Sequence, residues 1–210
     1  MRNLNQRLKR KFRGKKVLHL GFLGDWPSYI EQDLKNWIFK DICTWGKDVK
    51  GLDINLPGIK KFAELGFKNI IHGNAEDFDL EEKFEVIYAG ELIEHLDNVG
   101  LFLQTCKKHM HRDSILILTT PNPYAFNLLL KGIFTDPGRS IYDEHTALFH
   151  RKNLDLLLKR HELIGKKLDF FTPLAHYSRF AYLKTRILQL LGRLKSNWHS
   201  NYYLEVKKLR

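Results

Sequence analysis

The sequence predicts an α/β protein built on a mostly parallel sheet, and three observations predict it. From residue 15 onward, short β-rich runs alternate with helical patterns, as they do when each strand is followed by a helix that crosses back over the sheet. Glycine, asparagine and acidic residues cluster after several of the strand runs, where such sheets place their ligands. The chain has 210 residues, 43% of them hydrophobic, the size of one domain with a sizeable core.

Taken in order, Lys16 to Leu20 (KVLHL) is strand one, and Ile30 to Cys43 carries the Trp37, Ile38, Ile42 spacing of a helix. Val49 to Ile54 is strand two. Pro57 to Leu65 is a helix with proline near its start, where the missing N–H costs nothing. Lys68 to His72 is a short third strand and Phe84 to Ala89 (FEVIYA) a fourth. Leu101 to His109 follows as a helix, and Ser114 to Thr120 (SILILTT) is strand five, stopped by Pro121-Asn122-Pro123. The next stretch reads as irregular. Asn153 to His161 is then a helix and Lys166 to Phe171 a sixth strand. Tyr177 to Leu194 is a basic, leucine-bearing helix, and Tyr202 to Val206 (YYLEV) is a last strand that pairs antiparallel with its neighbour. That makes a seven-stranded sheet over residues 15 to 210, with a helical insertion at about 173 to 198 and a basic arm at 1 to 14.

The charge is unevenly spread. Of the net +11, +8 lies in residues 1 to 16 and +7 in residues 173 to 210, so residues 17 to 172 carry −4. Basic ends suit contact with RNA, an anionic bilayer or acidic substrates, and equally a solvated charged tail. No stretch approaches the roughly 20 apolar residues of a membrane span, and no apolar signal region opens the chain, so a cytoplasmic protein is expected. Cys43 and Cys106 are isolated, without the spacing of metal ligands or of a disulfide framework.

Four segments follow the strands: Gly21-Phe22-Leu23-Gly24-Asp25, Asp53 at the end of strand two, Asn74-Ala75-Glu76-Asp77, and Ala89-Gly90-Glu91. A glycine turn lets backbone approach a ligand, and a carboxylate about thirty residues on can accept from both hydroxyls of a ribose. As an ordered set, VLHLGFLGD, GLDIN, GNAED, EVIYAGELIEHL and ILILTTPNPYAF resemble the successive motifs of the class I S-adenosylmethionine (SAM)-dependent methyltransferases, over nearly all of residues 15 to 171. The resemblance implies a Rossmann-like, doubly wound fold and SAM as cofactor. It would set Gly21 and the Phe22 backbone on the methionine part, Asp53 on the ribose with Ile54 beside it, Ala75 and Glu76 on the adenine, and Gly90 along the pocket. The pattern departs at His19, where the family usually has an acid, and at Leu23, where a glycine is usual.

Glu91-Leu92-Ile93-Glu94-His95 follows strand four. Begun as a helical turn, it would put two carboxylates and an imidazole on one face, a set that holds a divalent cation. Such an ion, Mg2+ or Mn2+, would lower the pKa of an acceptor hydroxyl. This E-x-x-E-H, with the later Thr120-Pro121-Asn122 and His145, is similar to the small-RNA 3′-end and the ubiquinone-pathway O-methyltransferases. That likeness implies Glu91, Glu94, His95 and His145 as metal ligands. Without metal, Glu91 lines the pocket and His95 is the candidate general base, imidazole having an ordinary pKa of about 6.5; His150 has a weaker claim. The aromatic residues Tyr124, Phe126, Tyr142, Phe149, Phe170, Phe171 and Tyr177 fall where the acceptor wall is expected, most of them as core. The acceptor expected is a small-molecule, sugar, glycan or glycolipid hydroxyl, with an RNA 3′ end or a quinone precursor as alternatives, and a non-catalytic SAM-binding or partner protein as the reading of another class.

Overall fold

The computed structural model describes residues 4–35, 37–134, 145–173 and 179–209. Seven strands form one sheet: β1 (Lys16–Leu20), β2 (Asp48–Asp53), β3 (Ile70–His72), β4 (Phe84–Gly90), β5 (Met110–Pro121), β6 (Leu163–Phe171) and β7 (Asn201–Lys208), in the order β3-β2-β1-β4-β5-β7-β6. β7 runs antiparallel to both β5 and β6, while the β3-β2, β2-β1, β1-β4 and β4-β5 pairs are parallel. The order reverses between β1 and β4, and a crevice for ligand opens above the carboxyl ends of strands at such a point.

Alternation along the strands divides the core between two faces. Leu18, Leu20, Ile87, Leu116 and Leu118 pack with α5 (Val99–Lys108) and α7 (Arg151–Arg160) through Phe102, Leu103, Leu154 and Leu158. Val17, Val49, Val86 and Ile117 face the other way, against α3 (Ile38–Trp45) and α4 (Leu56–Glu64) through Phe39, Ile42, Ile59 and Phe62. Asn55 caps α4 by accepting from the Gly58 N–H at 2.8 Å, and Asn98 caps α5 from Leu101 N–H at 2.9 Å, so two loops after strands end in the side chain that starts the next helix.

Three stretches differ from expectation. The helix expected over 30–43 is two, α2 (Trp26–Glu31) and α3, because Asp33 and Leu34 take left-handed φ of 53° and 57°. Trp37 then enters extended and buries its indole, which donates to the Phe22 carbonyl at 2.8 Å. The irregular stretch after β5 contains α6 (Phe126–Phe134). Finally, the basic segment at the start is helical: Leu4, Leu8 and Phe12, spaced by four, give α1 (Leu4–Phe12) one apolar face, and Leu8 and Phe12 are fully buried. Its cations are partly spoken for, since Arg7 pairs with Asp169 and lies 4.6 Å over the Tyr203 ring, and Lys11 bonds Glu205 at 2.7 Å. The basic run is therefore a docked helix that ties itself to β6 and β7, while Lys9, Arg10 and Arg13 stay exposed. Between β6 and β7 runs α8 (Arg179–Leu194). No helix among the described residues is long and apolar enough to cross a membrane.

Candidate active site

The turn after β1 needs its glycines. Gly21 has φ +66° and Gly24 φ +48°, and a Cβ at Gly21 would come within 2.9 Å of Leu92. Gly21 N–H donates to the Leu52 carbonyl and Leu23 N–H to Asp53 Oδ2, both at 2.9 Å, which laces the turn to the end of β2. Phe22 and Leu23 send their side chains into the core, so backbone is what this turn offers a ligand. Asp53 also accepts from Asn55 N–H at 2.9 Å through Oδ1. The carboxylate is thus held in place at the crevice by one N–H per oxygen, and each oxygen keeps a second lone pair for a ligand hydroxyl. Ile54 beside it is 68% exposed, an apolar side chain left in water.

The segment after β3 is turned differently from expectation. Ala75 is buried, and Glu76 directs Oε1 to Asn98 N–H at 2.8 Å while its carbonyl accepts from Thr105 at 2.8 Å. Glu76 therefore joins this loop to the start of α5. Gly90 closes β4 over Tyr88, whose hydroxyl oxygen would lie 2.3 Å from a Cβ there.

The residues of E-x-x-E-H separate into two groups. Glu91 has φ +50°, and its N–H donates to the Thr119 carbonyl at 2.8 Å. Although the residue as a whole is exposed, its carboxylate turns inward and accepts from Asn201 Nδ2 at 2.6 Å. Desolvation first, and then the Glu94 charge, raise its pKa. The helical turn begins only afterwards, as a 3-10 turn over Ile93–His95, and this keeps Glu91 off the face shared by Glu94 and His95. Glu94 is fully buried; Oε2 accepts from the Thr120 hydroxyl at 2.9 Å, and Oε1 has no hydrogen-bond partner. Burial raises its pKa too. The Glu94 carbonyl accepts from Thr146 N–H at 2.8 Å, which brings the next segment alongside, with the His95 and His145 rings 4.7 Å apart and perpendicular. One ligand atom each from Glu94, His95 and His145 lies within 4.8 Å of the others. A four-ligand set including Glu91 is not what forms; three residues converge, and the donor set of one carboxylate and two imidazoles fits a divalent cation.

Sequence reasoning missed Asn201 and Thr119, and had Thr120 only as part of the Thr120-Pro121-Asn122 motif. The first sits on β7 and meets Glu91 only because β7 inserts beside β5, a pairing that leaves no mark on local sequence. His150 is exposed at the start of α7, its ring 5.0 Å from Tyr124. Phe149 packs on the core, Phe126 lies 5.2 Å from Trp198, and Phe170 and Phe171 belong to β6. Tyr142 and Tyr177 lie outside the described residues. His19 is buried among Tyr88, Phe39 and Phe22 rings, with Nδ1 unpartnered and its pKa pushed down to about 3 by burial.

Comparison with known proteins agrees with this layout. The family model described as a methyltransferase domain matches residues 1–163. Among curated relatives, a ubiquinone biosynthesis O-methyltransferase of Rhodopseudomonas palustris is 33% identical over 82 residues, which are 37% of this chain and 32% of the relative. The chain thus matches about a third of that relative's length. Among solved structures, a SAM-dependent methyltransferase from Archaeoglobus fulgidus is similar with a TM-score of 0.62 at 20% identity, over 98% of this chain and 93% of the other. The CcbJ methyltransferase from Streptomyces caelestis gives 0.65 at 12% identity, over 98% and 88%. A magnesium protoporphyrin IX methyltransferase from Synechocystis, solved with bound SAH, gives 0.61 at 12% identity, over 96% and 78%. With its strand order, its reversed seventh strand and a family match over most of its length, the chain belongs to the methyltransferase-domain family and has the class I SAM-dependent methyltransferase fold.

Proposed function

We propose that the protein transfers the methyl group of SAM to a hydroxyl oxygen of a small-molecule acceptor placed between Glu91 and the Glu94–His95–His145 cluster. The observation that carries the reading is the buried Glu94 oxygen without a donor, standing with two imidazoles beside the crevice. A buried carboxylate oxygen left unpartnered is costly, and a cation relieves that cost.

SAM supplies an electrophilic methyl group on a sulfonium. Gly21 and the Phe22 backbone would hold its methionine part, Asp53 its ribose, and Ile54 and Ala75 its adenine, with Gly90 along the pocket. Glu94, His95 and His145 would hold Mg2+ or Mn2+, which lowers the pKa of a hydroxyl bound to it. The protein's remaining work is alignment of oxygen, carbon and sulfur, and Asn201 contributes by fixing the Glu91 carboxylate on the acceptor side. A second reading, in which His95 takes the hydroxyl proton directly, is favoured by the exposure of that ring at the rim. As acceptor we favour the aromatic hydroxyl of a quinone precursor, supported by the likeness to ubiquinone biosynthesis O-methyltransferases, over the sugar, glycan or RNA-end hydroxyl.

The test is a screen of aromatic diols, glycans and RNA ends with methyl-labelled SAM, preceded by calorimetric titration with SAM. Label in an aromatic ether is expected. Absence of SAM binding at millimolar concentration ends the enzyme reading. Chelation should abolish transfer and Mg2+ or Mn2+ restore it, and Glu94→Gln should slow it by about 100-fold. Full activity in excess chelator would discard the ion and leave His95 as the proton acceptor.

A further inference from the structure

α6 and α8 adjoin each other near the carboxyl end of β5 and the amino end of β7, and both turn large aliphatic side chains outward. On α8, Leu183, Ile187, Leu190 and Leu194 are exposed, the last at 80%, and their spacing of four, three and four puts them on one stripe. The buried side of the same helix is the opposite one, made by Leu188 and by Gly192, whose missing side chain makes room for the His199 ring. The stripe is therefore not the packing face of a helix set askew; it is a second apolar face. Leu129, Leu130 and Ile133 of α6 are exposed as well, Ile133 at 71%.

Charge says what covers this face. Lys184 and Lys195 flank the stripe on one side and Arg186 and Arg193 on the other, all four are exposed, and α8 contains no acid. Residues 173 to 210 as a whole carry +7. Half-buried Trp198 stands at the end of α8 against Phe126, with the Lys195 ammonium 5.8 Å over its ring. An amphipathic indole beside cations suits the level of lipid headgroups. A second copy of the chain would set these cations against their equals. Nucleic acid would meet aliphatic side chains that neither stack nor hydrogen-bond.

We propose that the α6–α8 face docks on an anionic lipid bilayer, with the leucine stripe at the acyl boundary and the lysines and arginines among the headgroups. At 16 residues α8 extends about 24 Å, and with its cations it lies in the plane rather than across it. The neighbouring segments reach the site directly: Asn122 N–H donates to the Ser200 carbonyl at 2.8 Å, and Asn201 next to it holds Glu91. An acceptor dissolved in the bilayer would thus arrive beside the carboxylates. That consequence rests on the O-methylation reading; the docking does not.

The experiment is sedimentation of the full chain with vesicles of phosphatidylcholine alone and of phosphatidylcholine mixed with phosphatidylglycerol. Binding to the mixed vesicles is expected, much weaker on the neutral ones and reduced by salt. The double substitution Leu183→Ser, Leu190→Ser should weaken it by at least about tenfold, and so should Arg186→Gln with Arg193→Gln. All four positions are exposed, and unchanged circular dichroism and SAM titration check that the fold survives. No association with the anionic vesicles, association unchanged in the leucine variant, or a dimer or RNA complex that the leucine substitutions dissolve would overturn the proposal. Failed docking with SAM binding intact refutes only this inference, whereas loss of SAM binding in the unaltered protein refutes the proposed function.

Discussion

His19 supplies a sharp quantitative test, because an ionisable ring has been put where water cannot follow. It is 2% exposed, ringed by Tyr88, Phe39 and Phe22, and burial pushes its pKa down to about 3 from an ordinary 6.5. The native ring therefore stays neutral through the range in which the unfolded chain gains a proton. Below pH 6.5 the unfolded state binds more protons than the native state, and stability falls with pH until the folded pKa is reached. At about 1.4 kcal/mol per unit, the loss from this group is about 1 kcal/mol by pH 5.5 and about 4 kcal/mol at pH 3, a large part of a typical domain's stability. Urea unfolding of the wild type and of His19→Phe at pH 7.5 and 5.5 measures it. Phenylalanine keeps the ring and removes the titration, so the variant should lose about 1 kcal/mol less over that interval. His199 and Glu91, whose pKa values are also displaced, are present in both proteins and cancel in the difference. An identical pH dependence in the two proteins would refute the assignment of a buried neutral imidazole.

Two further outcomes follow from packing. Phe12→Ala should cost about 3 to 5 kcal/mol, read by chemical unfolding, since Phe12 is fully buried between Trp45 and Tyr88; a loss below about 1 kcal/mol would mean that α1 is not docked. Gly21→Ala should lower the melting midpoint by the equivalent of about 1 to 2 kcal/mol and weaken SAM binding, because alanine is strained at φ +66° and meets Leu92; unchanged SAM affinity would take the turn out of the cofactor site.

Much of the sheet was legible because its strands are short, rich in Val, Ile and Leu, and cut by Gly, Pro and Asn. KVLHL matches β1 residue for residue, and FEVIYA falls one residue short of β4. What escaped depended on neighbours distant in sequence. α1 reads as a charged tail until Phe12 meets Trp45 and Tyr88 and Leu4 and Leu8 join the same core cluster. The 30–43 helix fails at Asp33 and Leu34, where local periodicity gives no hint of a left-handed turn. Around the site, Glu94, His95 and His145 converge as the motif implied, while Glu91 is drawn off by a positive φ and by Asn201. Glu76, itself an expected adenine contact, spends a carboxylate oxygen on the start of α5 because that helix has a free N–H within reach.

The reversed β7 carries a consequence for how the protein comes into being. It fills the gap between β5 and β6, and it brings Asn201 to Glu91 and Glu205 to Lys11. During synthesis, residues 1 to 200 emerge with β5 showing an open hydrogen-bonding edge along Leu116 and Leu118 and with Glu91 lacking Asn201. Such an edge invites pairing with another chain. Residues 201–208 thus act as a keystone: they remove the exposed edge and bring Asn201 to the Glu91 carboxylate in one step, so a nascent chain stopped before them is aggregation-prone and lacks that tie.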